Sequence, residues 1–80
     1  MAGGAVSAQS DVLDALALCR RTHANLIRNV ARHRLAADVL AKIDPAASES
    51  CKRAATLLML ELVAVRADLR RVEELAEMTR

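Results

Sequence analysis

From Val12 the chain repeats a row at alternating steps of four and three: Val12, Leu16, Cys19, His23, Leu26, Val30, His33, Ala37 and Leu40. That spacing keeps one stripe of an α-helix turned toward a neighbour and is the spacing of a coiled-coil seam. Toward its end the apolar arc widens through Leu35, Val39 and Ile43, which predicts broader packing there than a pure two-stranded seam. A second and cleaner row runs through Cys51, Ala55, Leu58, Leu62, Val65, Leu69, Val72 and Ala76. Ile43-Asp44-Pro45 separates the two. Proline lacks the amide proton and disfavours helix at the residue before it, so the first helix stops near Lys42 or Ile43. Two starts fit the second helix. Asp44 can cap it with Pro45 in the first helical position, or Asp44 to Ser48 can form the turn with Ser48 as cap and Glu49 at the positive end of the dipole.

Ser10-Asp11 offers a cap for the first helix, with Asp14 well placed for its dipole. The pattern therefore predicts a disordered tail over residues 1–9 and a helical hairpin over 10–80, with helix one over about 11–43 and helix two over about 45–78. Near-equal arms around a single break describe an all-α fold, an antiparallel two-helix hairpin. Composition agrees. The 80 residues include no Phe, Tyr or Trp, two Gly and one Pro, which removes the punctuation and side chains of an all-β fold.

The stretch Ala54–Val65 changes the picture most. Only Thr56 and Glu61 are polar in it. It is too short for a membrane span and is interrupted by a charge, yet too apolar on all sides for one neighbouring helix to cover. A domain of this size has only a few kcal/mol of net stability, so uncovered Leu and Val weigh heavily. The hairpin is expected to complete a multi-helix bundle or coiled coil by association, with itself or with other helical subunits. Leu58, Leu62, Val65, Leu69 and Val72 would form the seam. Met59, Leu60 and Val63 would meet the additional partner.

Charge adds a weaker signal. Twelve basic and ten acidic residues give +2, but between Asp14 and Asp38 there are five Arg and no acid. Arg20, Arg21, Arg28 and Arg32 make a stripe on helix one, and Arg21, Arg28 and Arg32 are candidate phosphate contacts for a homodimeric four-helix bundle that binds nucleic acid. No aromatic stacker or Gly-rich loop accompanies them, so a nucleic-acid partner is the lesser expectation. Glu73, Glu74 and Glu77 are expected near Arg20 and Arg21, giving a charge match without any ligand.

Cys19 and His23 stand four apart on one helix face, a spacing able to offer two metal ligands. Cys51 falls far from Cys19 in a hairpin, so no four-ligand site assembles within one chain. Cys19 reads as a small interior residue, and His23 and His33 as polar seam positions that fix register and could weaken assembly when protonated. No metal, cofactor or small-molecule substrate is expected. Two isolated Cys fit reduced thiols in an intracellular, cytoplasmic protein, and the N-terminus has no basic region followed by an apolar core. Catalytic signatures are missing. Small helical chorismate mutases use Arg, Lys, Glu and Gln in an intertwined dimer, but Arg20, Arg28, Arg34, Lys42 and Glu61 do not follow that order and the only Gln is Gln9. The expectation is a non-enzymatic scaffold subunit.

The stretch from Ala37-Asp38-Val39-Leu40 through Cys51-Lys52 to Leu58, Leu62, Leu69 and Val72 resembles the smallest subunit of the actin-regulatory WAVE complex. That subunit's Asn-Glu-Lys-Leu run is replaced here by Met59-Leu60-Glu61-Leu62, which limits the resemblance to the spacing of the helices.

Overall fold

A computed structural model describes the backbone of residues 2–79 and the side chains of residues 9–79. Two helices, α1 (Ala2–Leu40) and α2 (Pro45–Met78), pack against each other along their length as an antiparallel hairpin. The molecule is a rod of 64 × 15 × 13 Å. Its length follows from the 39 residues of α1, roughly 58 Å at the helical rise.

The turn follows from its residues. Pro45 opens α2, and Asp44 caps it: the Asp44 backbone is extended (φ −145°, ψ 87°) and its Oδ1 accepts from the Ala47 amide at 3.2 Å. The first of the two possible starts is the one adopted. With residue 44 held out of the helical region, α1 closes at Leu40, whose carbonyl accepts from both the Ile43 and Asp44 amides at 3.0 and 2.8 Å. Helix one therefore ends three residues before the expected Ile43, which lies 75% exposed with nothing to hold it in a further turn.

The beginning of α1 also differs from expectation. Its backbone is helical from Ala2, where a tail over residues 1–9 was expected, and Ser10 and Asp11 lie inside the helix instead of capping it. No proline interrupts the segment, and Ala2, Ala5, Ala8 and Gln9 are strong helix formers around the unfavourable Gly3-Gly4.

Ser48 is not a cap. It is among the most deeply buried residues, its hydroxyl donating to the Ala37 carbonyl at 2.7 Å. Ala37 belongs to the last turn of α1, where carbonyls run out of intrahelical partners, so the bond satisfies an orphan acceptor while tying the arms together. Small residues at Ala37, Ser48 and Ala55, all buried, let the two backbones approach closely beside the turn. Farther along, larger side chains take over the interior: Val30, Leu26, Leu62 and Leu16.

Both heptad rows face inward over their full length. Every member from Val12 to Leu40 and from Cys51 to Ala76 is buried or half-buried. Even so, Leu26 and Val30 keep 7% of their surface, because two helices share only one interface.

Candidate functional site

What the hairpin cannot do is cover its other faces. Leu57, Leu60 and Val63 in the middle of α2 are about two-thirds exposed (64–65%), and Leu35 and Val39 on α1 are similarly bare. The total accessible surface is 6092 Å². A compact monomer of 8.6 kDa would show about 4,700 Å² by the usual size scaling. The difference, roughly 1,400 Å², exceeds the ~800 Å² that one partner gives up in a standard protein interface. Part of it is the cost of a rod shape, and part is apolar.

The expected partner-contacting residues separate into two groups. Leu58, Leu62, Val65, Leu69 and Val72 point into the hairpin and meet α1. Met59, Leu60 and Val63 point outward. The seam is thus intramolecular, and a partner has only the outward residues of α2 within reach, together with exposed residues of α1.

One edge of the hairpin brings both helices together as a surface. Ile27, Ala31 and Arg34 from α1 and Met59 and Arg66 from α2 line a groove of about 350 Å³, floored by Val30 and Leu62. A second depression lined by Val63, Arg66, Ala67 and Arg70 continues from it through the shared Arg66. The floor is apolar and the rim is cationic. Arg34 donates to the Met59 Sδ at 2.9 Å, and Arg66 Nε donates to the His23 Nε2 at 3.3 Å. Neither acceptor is a carboxylate. Sulfur is a weak acceptor, and a neutral imidazole carries no charge to answer a guanidinium. Arg20 continues the rim, seven residues before Ile27 and therefore on the same line of α1.

The stripe read from the sequence lies elsewhere. Arg21, Arg28 and Arg32 are exposed on the outer side of α1, away from α2, and the Arg28 guanidinium donates to the Asn25 Oδ1. None of the three forms an ion pair among the described residues. The expected match with Glu73 and Glu74 does not form either. The His23–Arg66 bond fixes the register, which places Glu73, seven residues beyond Arg66, alongside residue 16 and about one helical turn short of Arg20. Lys52 and Glu49 do pair, at 3.2 Å and exposed, near the turn.

Cys19 and Cys51 are free and half-buried. Their positions along the arms put them roughly 25 Å apart. Among the described residues no three His, Cys, Asp or Glu side chains gather as a metal-binding group. His33 Nδ1 lies 2.7 Å from the Asn29 carbonyl one turn earlier. No helix among the described residues is long and apolar enough to cross a membrane.

The sequence pattern pointed to outward residues of α2 alone, whereas the groove also takes Ile27, Ala31 and Arg34 from α1. The signal for them was present: in an antiparallel pair the rows flanking the two seams on the same side meet along one edge. Comparison with protein-family models, with curated proteins and with solved structures found no match, so a functional reading rests on this surface itself.

Proposed function

We propose that the chain is a non-enzymatic structural subunit, a helical hairpin that joins other helices in a larger protein complex. The observation that supports it is the exposed run Leu57, Leu60 and Val63. Full burial of such a side chain is worth ~1.5–3 kcal/mol, so covering the exposed two-thirds of all three contributes roughly 3–6 kcal/mol. That is comparable to the entire net stability of a domain this small. Association with helical partners, in bundle or coiled-coil geometry, recovers it.

The test is the solution mass of the chain alone, by light scattering after size exclusion, with circular dichroism on the same sample. Aggregation or a poorly helical monomer supports completion by a different protein, and a discrete helical oligomer supports completion by further copies. A monodisperse, fully helical 8.6 kDa monomer with a cooperative melt would overturn the proposal. A second reading, nucleic-acid binding by a homodimeric bundle, draws support from the exposed Arg21, Arg28 and Arg32, none of them ion-paired among the described residues. The stripe lies on a polar outer surface without aromatic residues, so it supplies charge and no means of stacking bases.

A further inference from the structure

Resting on the assembly reading, we infer that the groove between α1 and α2 seats one helix of a different protein, whose apolar stripe is flanked by Asp or Glu. Shape and charge lead to the same occupant. The groove runs between two parallel cylinders, its apolar walls Ile27, Ala31 and Met59 over a floor of Val30 and Leu62, and Val63 extends it along α2, which is the seat a third helix takes against a helical pair. Its rim carries Arg20, Arg34, Arg66 and Arg70, none ion-paired among the described residues. Arg34 and Arg66 rest on a thioether and an imidazole, acceptors that a carboxylate displaces readily, because a guanidinium fork matches a carboxylate with two charge-assisted bonds.

The same charges argue against a second copy on this edge. A two-fold dimer sets a surface against itself, so Arg34 and Arg66 would face their own equivalents with no acid between them. Acids on this edge occur only toward its ends, at Asp38 and Glu49 near the turn and at Glu73 and Glu77 toward the open end. A head-to-tail contact onto another face of the next copy would not close and would grow a filament. A phosphate backbone answers the arginines but leaves the apolar floor bare, and there is no aromatic side chain to stack a base. Arg20 and Arg34 are two heptads apart, roughly 21 Å, so the partner's acids should recur on one side of its stripe at that interval.

The experiment titrates the full chain with two synthetic amphipathic helices of about 21 residues, alike in their Leu stripe and flanked by Glu in one and Lys in the other. Fluorescence anisotropy should show the Glu-flanked peptide binding about tenfold tighter, with an affinity that falls as salt rises. Arg34→Gln with Arg66→Gln should remove about tenfold, while Arg53→Gln with Arg71→Gln, an equal loss of charge on the outer side of α2, should leave affinity unchanged. Circular dichroism of both variants establishes that each hairpin is folded. Equal binding of the two peptides, or equal losses in the two variants, would overturn the groove assignment. So would a single-stranded RNA that competes fully with the Glu-flanked peptide, or self-association of the chain that the Arg34/Arg66 variant abolishes. Failure of the groove is distinct from failure of the assembly reading. In the first case the chain still forms oligomers or aggregates with the Arg34/Arg66 variant unaffected; in the second it is a stable helical monomer that binds neither peptide.

Discussion

Ser48 offers the sharpest test of how the arms are joined. Its hydroxyl bonds to the Ala37 carbonyl at 2.7 Å, and both residues are only 2% exposed. Ser48→Ala removes a hydrogen bond worth about 1 kcal/mol net. It also gains up to ~0.5 kcal/mol of helix propensity, so the loss should be a few tenths to 1 kcal/mol. Ser48→Val removes the same bond and forces two methyl groups into the close approach of Ala37, which adds ~1–3 kcal/mol of overpacking. At 4–8 °C per kcal/mol for a domain of this size, the alanine variant should melt a few degrees below wild type and the valine variant roughly 10–30 °C below. The assay is thermal denaturation followed by circular dichroism, with all three proteins at one concentration because association shifts the apparent midpoint. A valine variant that melts with the alanine variant would refute the close approach. An alanine variant more stable than wild type would show that the bond contributes nothing beyond what the helix gains.

Leu62→Asp should abolish the helical signal itself, because it places an unpaired carboxylate inside the hairpin at a position 8% exposed, whereas Leu60→Asp at 65% exposure should keep helicity and lose association; two folded proteins would mean the seam is misassigned. Asp44→Ala should cost about 1 kcal/mol through the lost cap on Ala47, and Asp44→Asn should restore most of it in a urea titration. Should the outer stripe hold nucleic acid, affinity for a DNA duplex of about 20 base pairs will fall steeply with salt and the slope will flatten when Arg21, Arg28 and Arg32 become Ala; an unchanged slope ends that reading.

The interior was legible from spacing alone. A row of alternating fours and threes admits one inward face per helix, so the residues from Val12 to Leu40 and from Cys51 to Ala76 had no other place to go. The turn was half legible, since Pro45 dictates a break while Asp44 and Ser48 both resemble caps. What decided between them is tertiary: Ser48 falls on the inward row, one heptad before Ala55, and its hydroxyl finds a carbonyl of the other arm. At the start of α1 no proline intervenes between Ala2 and Asp11, and the good cap sequence Ser10-Asp11 is tolerated in mid-helix. The groove was hidden for a different reason. Each of its walls is unremarkable by itself, Ile27, Ala31 and Arg34 on α1, Met59 and Arg66 on α2, and only the register of the two arms sets them side by side.

That register also orders events in time. The tie between Ala37 and Ser48 closes a loop of only eleven residues, whereas Val12 and Ala76 meet across sixty-four. Short loops close at lower entropic cost and in tens of nanoseconds, so contact begins at the turn and propagates outward one heptad at a time. The reverse sequence holds on opening. Amide protons near the free ends of the arms should exchange first and those flanking the Asp44-Pro45 turn last, a protection gradient running the length of the rod.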